Sequence, residues 1–497
     1  MKQQNFVFNI CFLIFLNLLI KPFWILGIDV GVQNSVGAAD YGLYFAVFNF
    51  TYLFNMLLDM GITNFNNRNI ARHSQLLSKH LSGIITLKLL LGVIYLGVTF
   101  GVAAIIGYGS LQMKILFWTA VNQILNSFIL YLRSNVSALM MFKTDSVLSV
   151  LDRLLMIIFC GILLWGNVTD EPFKIEWFLY CQTAAYVLAT LVALLIVIAK
   201  GKPQPLSFNL AFWGVILKKS LPFAVLYLLM SFYNRIDSVM IERLLPGDIS
   251  TFEAGIYASA FRLLDALVMI AYLFSVILLP LFSKMLKEKE DLIPIIRASF
   301  SLLFFFSVTA AVLLRVYRYP VLDLLYTSHV EESADVFVWL ILGIIPISFT
   351  YIFGTLLTAN GDLKLLNITA LAGIAVNMVV NLLLIPRMHA VGAAIASLST
   401  QTVVSVLQLW IAFRKLRLPA SAVPWVRCLL YALLLPLLTM AVVVPLVARL
   451  TFFHPMPHPM LWNFLTSVVV ACLLALATGV IPVSFLKSIN LKDLKRE

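Results

Sequence analysis

Apolar residues run along this chain in stretches of roughly 18–25 positions, each broken by a short polar segment. That is the length an α-helix needs to cross about 30 Å of hydrocarbon. The strands of a membrane β-barrel would be about half as long and would alternate polar with apolar, which these runs do not. The pattern predicts about 14 spanning helices. Spans 1–6 are expected at 6–28, 42–63, 82–107, 114–140, 147–165 and 177–199. Spans 7–12 follow at 215–242, 255–282, 294–316, 334–358, 364–386 and 391–413, and a last pair at 425–448 and 460–484.

Two of these runs open alike. Gly42, Tyr44 and Phe48 recur at the same spacing as Gly255, Tyr257 and Phe261, and each copy leaves an acid-bearing polar loop to begin a hydrophobic helix. This is the trace of an internal repeat, which in a membrane protein implies two bundles that rock about a shared cavity. If Gly42 and Gly255 are equivalent, each opens the second span of its lobe. The chain then divides into an N-terminal lobe at 1–205, a second lobe of like orientation at 206–418, and two further helices with a tail at 419–497. The first boundary falls in Lys200-Gly201-Lys202-Pro203-Gln204-Pro205, where prolines and cations break any continuous helix. Residues 206–219, with Trp213, are expected to lie partly along the membrane surface before span 7 turns in. Asn49 in the first copy stands where Arg262 stands in the second.

Composition agrees with the pattern: 62% of residues are hydrophobic and 12% charged, against about 45–50% and about 25% in soluble domains. The net charge of +12 sits in alternate loops and not in a soluble basic domain. Arg68, Arg72 and Lys79, then Lys200 and Lys202, then Lys284, Lys287 and Lys289, then Arg414, Lys415 and Arg417 fall on one side. Asp29 and Asp40, Asp170 and Glu171, Asp248 and Glu253, and Glu331 and Glu332 fall on the other. The positive-inside rule places the basic side and both termini in the cytoplasm, and the charge needs no nucleic-acid partner. The first run is read as a retained span and not a cleaved signal, because it is long and carries Lys21 and Pro22. The five cysteines lie within apolar runs as packing residues. His454 and His458 have metal-pair spacing, but the prolines between them preclude the helix that pairing requires, so no metal is expected. No phosphate-cradling glycine loop and no catalytic triad is present, so an ATPase or a hydrolytic enzyme is not expected.

Charge inside the spans is costly and therefore informative. Lys21, Asp59, Lys88, Arg133, Asp152, Arg153, Arg235, Asp237, Arg262, Asp265 and Arg297 are the candidates. Arg262 and Asp265, at i and i+3, share a face and can neutralise each other. Arg235 and Asp237 are about 200° apart on a helix and face different neighbours. Asp152 with Arg153 is expected to be a structural pair. Lys88, Arg133 and Arg297 are expected to snorkel from helix ends.

Several segments together resemble one family. Asn377-Met378-Val379-Val380-Asn381 through Pro386, then Val391-Gly392-Ala393-Ala394, looks like the junction of helices 11 and 12 in oligosaccharide flippases. Asp237-Ser238-Val239-Met240-Ile241 before Gly255-Ile256-Tyr257-Ala258, Leu58-Asp59-Met60-Gly61-Ile62 with Arg68, and the turn Ala359-Asn360-Gly361-Asp362 are similar to the same proteins. The chain therefore resembles the Wzx-type polysaccharide transporters of the multidrug/oligosaccharidyl-lipid/polysaccharide exporter superfamily. The resemblance implies an all-α pair of lobes in the bacterial inner membrane. It implies movement of undecaprenyl-diphosphate-linked oligosaccharide to the periplasmic leaflet by alternating access, without a cofactor and driven by a proton or sodium gradient. Polysaccharide polymerase and glycosyltransferases are the implied protein partners.

A diphosphate headgroup needs cations in a water-filled cavity to cross hydrocarbon. Lys21, Arg235 and Arg262 are the cavity candidates, Asp59, Arg68 and Arg72 the gate candidates, and Asp237 the coupling candidate. Each has a structural alternative: pairing or snorkelling for the cations, acidic-lipid contact for the loop arginines, helix glue for Asn377 and Asn381. A cation-coupled multidrug exporter of the same superfamily and a membrane-embedded glycan polymerase or ligase stay open as alternative functions.

Overall fold

The computed structural model describes residues 16–17, 19–63, 66–67, 70, 75–166, 168–201, 208–445 and 459–481. Arg68 and Arg72, His454 and His458, Cys11 and the prolines at 203 and 205 lie outside them. No β-strand occurs among the described residues. Ten helices among them are long and apolar enough to cross a membrane by length and composition. The fold is that of an all-α, multi-pass integral membrane protein.

Helix α1 covers 19–36 and widens into a π-helical turn over Trp24–Asp29. Helix α2 is Ala38–Leu53, and a short α3, Met56–Asp59, follows it. Span 2 therefore does not run unbroken to 63. Asn55, Leu57 and Leu58 donate their N–H groups three residues back, tightening the backbone, and Met60 (φ 45°) then turns it into the left-handed region. Helices α4 (Leu76–Ile105), α5 (Ser110–Ala138), α6 (Phe142–Trp165) and α7 (Ile175–Gly201) continue the first compact unit. Helix α8 (Leu210–Leu244) and the start of α9 (Gly247–Glu288) complete it, since that unit extends to Ala258.

Residues 210–219 are the first turns of α8 itself and not a separate surface segment. The reason is Trp213, which is buried and donates its indole N–H to the Gly83 carbonyl at 3.0 Å. Trp213 and Ile216 join Leu77, Leu81, Tyr131 and Val197 in an apolar core at this end of the unit. Between helices in lipid the driving force is packing, not water exclusion, so close approach matters most. The repeat glycines supply it. A Cβ on Gly42 would lie 1.9 Å from the Thr251 carbonyl oxygen, and one on Gly255 would lie 1.9 Å from that of Ala38. The two copies of the motif thus meet backbone to backbone, which only residues without side chains permit.

The second unit, Ser259–Glu497, holds the rest of α9 and α10 (Ile293–Val316), α11 (Arg318–Leu325) and α12 (Val330–Leu340). A 3₁₀ turn at Ile341–Gly343 leads into α13 (Ile344–Asn360). Left-handed Gly361 (φ 83°) closes the expected tight turn. Helix α14 (Leu363–Lys415) contains spans 11 and 12, separated at His389, whose φ of 52° and ψ of −130° are not helical. Phe300 anchors an aromatic cluster with Phe349, Phe353 and Trp425. The last helices, α15 (Trp425–Leu438) and α16 (Pro459–Thr478), dock on α10. Tyr431 shares a hydrogen bond with Thr309 at 2.6 Å, and Tyr317 shares one with Ser467 at 2.9 Å.

Candidate substrate-binding site

In the first unit three intramembrane cations lie along a strip of aromatic rings. It begins on α1, where the π-helical turn adds a residue to the helical circuit and buries Trp24 and Asp29. One turn earlier is Lys21, whose charged neighbours are Arg153, Asp152 and Arg133. Arg153, on α6, holds its guanidinium 5.4 Å from the Trp24 ring and 5.9 Å from that of Tyr186 on α7. Its Nε is 3.5 Å from the Asp152 carboxylate. Tyr186 lies within electrostatic reach of Tyr52 on α2, and Arg235 on α8 places its guanidinium 5.2 Å from the Tyr52 ring. The Tyr52 hydroxyl meets that of Tyr227 at 3.0 Å.

Five helices therefore contribute to one surface in which Lys21, Arg153 and Arg235 alternate with Trp24, Tyr186, Tyr52 and Tyr227. Tyr227 is 45% exposed and the Arg153 side chain 28%, whereas Trp24 and Tyr186 are buried, so the strip is open at some positions and packed into the core at others. Cations held over ring faces are partly desolvated, and tyrosine hydroxyls both donate and accept hydrogen bonds. Such a surface fits a phosphate flanked by polyhydroxyl groups.

Lys21 and Arg235 are thus brought onto one surface, while Arg262 belongs to the second unit and has Asp265 at 4.0 Å, the i, i+3 pair expected. Asp237 is buried and accepts the Tyr257 hydroxyl at 3.0 Å. A similar bond joins Tyr41 to buried Asp29 at 2.7 Å. Asn49, the counterpart of Arg262 in the repeat, donates to Ser238 at 2.9 Å. Asn381 donates to Asn377 at 2.9 Å within α14.

Two snorkelling expectations are corrected. Lys88 is fully buried and donates to the Leu58 carbonyl at 3.1 Å, to the Asp59 carboxylate at 2.9 Å and to Ser127 at 2.9 Å. The break after α2 turns these acceptors inward, so its ammonium finds partners inside the protein. Asp59, expected at a gate, is the counter-charge of this buried lysine. Arg133 does not reach for the headgroups either but pairs with Asp145 at 2.9 Å. Arg153 was expected only as the partner of Asp152, and sequence reasoning missed its place in the strip. The rings it touches come from helices far apart in the chain, and only Trp24, three residues after Lys21, carried a local signal.

The fold is that of an all-helical, multi-pass membrane protein. The chain belongs to the polysaccharide biosynthesis protein family, whose model matches residues 6–286. It is 28% identical over 212 residues to the lipid III flippase of Escherichia coli (strain K12) and to that of Shigella flexneri. That alignment covers 42% of this chain and 50% of each relative, so the chain spans about half the length of the curated relatives it matches. Among solved structures it is similar to the lipid II flippase MurJ in an inward closed conformation. The TM-score is 0.70 at 14% identity, over 98% of this chain and 99% of that one. An inward-facing multidrug resistance MATE family transporter matches with a TM-score of 0.61 at 14% identity, over 79% of this chain and 94% of that one.

Proposed function

We propose that this protein is a flippase that moves a lipid-diphosphate-linked oligosaccharide, such as an O-antigen or capsule repeat unit, between the leaflets of a bacterial inner membrane. The observation that carries the reading is the strip of Lys21, Arg153 and Arg235 interleaved with aromatic rings inside the membrane-spanning region. A diphosphate carries a charge of about −2 and cannot enter hydrocarbon without counter-charge. Arginine forks match its oxygens, while tyrosine hydroxyls suit the sugar that follows. The flippases among its relatives support the same substrate class. The protein performs no covalent chemistry in this reading. Alternating access of two lobes, 1–205 and 206–418, carries the headgroup across, with the tail and both termini in the cytoplasm. Arg262 contributes a charge from the second lobe, and Arg68 and Arg72 receive the headgroup at the cytoplasmic gate. A proton or sodium gradient drives the cycle, with Asp237 as the coupling group. Polymerase and glycosyltransferases act before and after it on the same glycan.

The decisive experiment reconstitutes the protein in vesicles with a fluorescent lipid-diphosphate glycan and follows leaflet transfer under an imposed gradient. Transfer that stops when the gradient is collapsed is expected. No transfer with any lipid-diphosphate glycan overturns the reading. The likeness to a MATE transporter favours export of cationic drugs as the second reading. The cations of the strip oppose it, and binding of cationic dyes without affinity for lipid diphosphates would reverse the ranking.

A further inference from the structure

A second positively charged site lies in the other compact unit. The first turns of α10 and α15 and the end of α16 enclose a cavity of about 260 Å³. Two arginines line it. Arg297 donates to the Ser421 carbonyl at 2.6 Å, and Arg427 donates to the Gly479 carbonyl at 3.3 Å. Gly479 has a φ of 69°, the left-handed conformation that turns its carbonyl to the arginine. Each bond uses one of five N–H donors in a planar fork and holds the guanidinium at the rim of the cavity. Both helices start here, at Ile293 and Trp425; the Asp291 carboxylate already accepts the Ile293 N–H of α10 at 3.0 Å, so the dipole that adds positive potential is that of α15. No acidic side chain is among the residues lining the cavity; its remaining wall is largely apolar, with Ala298, Leu302, Val480 and Ile481.

The geometry points to a binding site for the phosphate of an anionic phospholipid, held by Arg297 and Arg427. The volume is below the roughly 300–1,000 Å³ of a pocket that engulfs a whole ligand, so it suits a headgroup whose chains stay outside. Exposed Val426, Leu429 and Leu433 on α15 offer those chains an apolar path. Lys284 and Lys287 at the end of α9 and Arg414, Lys415 and Arg417 before α15 place the site at the headgroup level of the leaflet with the positive-inside charge. The site is independent of glycan transport and is read out separately from it.

The test is native mass spectrometry of the purified full chain in detergent, titrated with phosphatidylglycerol, phosphatidylcholine or inorganic phosphate. The expected result is a phosphatidylglycerol adduct at least tenfold weaker in Arg297→Gln/Arg427→Gln. Lys284→Gln/Lys287→Gln, which removes as much charge from the same end, keeps the adduct. Ala298→Phe, which fills the cavity and leaves both arginines, loses it. Monodisperse chromatography and an unchanged melting point establish that each variant is folded. Equal loss in the lysine variant, or no loss in the arginine variant, overturns the site. Arginine-dependent binding of inorganic phosphate without phosphatidylglycerol overturns the lipid as its occupant.

Discussion

At the scale of single residues, neighbours decide what each intramembrane charge does. A charge-assisted hydrogen bond contributes about 1.5–3 kcal/mol, so losing one phosphate contact weakens binding roughly tenfold or more. Arg153→Gln and Lys21→Gln are therefore expected to cut glycan transfer at least tenfold, by the vesicle assay; Lys21→Gln melts close to the parent protein, whereas Arg153→Gln also leaves Asp152 without its counter-charge and melts lower. Full transfer by both would remove the strip from the mechanism. Lys88 is expected to behave in the opposite way. Lys88→Met leaves the Asp59 carboxylate, 32% exposed, without its counter-charge. Breaking a buried pair costs about 3–5 kcal/mol, and the partial exposure of Asp59 puts this one at the lower end. A melting point several degrees lower is expected, largely restored in Lys88→Met/Asp59→Leu. A single variant that melts like the parent would show that the bridge carries no stability. The sequence flags both lysines as costly and cannot tell them apart, because the difference lies in the Leu58 carbonyl, Ser127 and Trp24, none of which is near both in the chain.

At the scale of elements, the crossing of α2 and α9 is the most constrained contact of the first unit. The Gly42 and Gly255 positions leave no room for a methyl group, so Gly255→Val must drive the two helices apart. That shift also pulls on Gln33, which donates to the Gly255 carbonyl at 3.0 Å. Gly255→Val is expected to lose monodisperse protein or to melt far below the parent. Gly97→Ala, where nothing lies within 4 Å, is expected to leave the melting point unchanged. Equal behaviour of the two variants would show that the crossing tolerates separation. Helix existence was legible from apolar run length, as with α6, found at Phe142–Trp165 where 147–165 was expected. Breaks were less legible. The turn after α2 carries only Asn55 as a local signal, and the 3₁₀ step before α13 only Gly343 and Pro346, so packing against neighbours decides where each break falls.

For the whole molecule, the alternation of basic and acidic loops makes a prediction about sidedness. A single cysteine placed at Glu331, in a background without the native cysteines, is expected to react with an impermeant thiol reagent from outside intact cells. One at Lys364 is expected to react only after permeabilisation. The reverse pattern would invert the topology and the direction of transport proposed from it. The sequence by itself determined that the chain is a many-spanning helical membrane protein with an internal repeat, because bilayer thickness sets run length and loop charge sets orientation. It also singled out Lys21 and Arg235, because any charge in hydrocarbon stands out. Only the tertiary structure decided that those two cations share a surface with Arg153 and four aromatic rings, that Lys88 is locked in a buried bridge, and that the repeat glycines touch. Each of these depends on side chains or backbone brought together from different helices, and the packing that brings them together leaves no periodic trace in the chain.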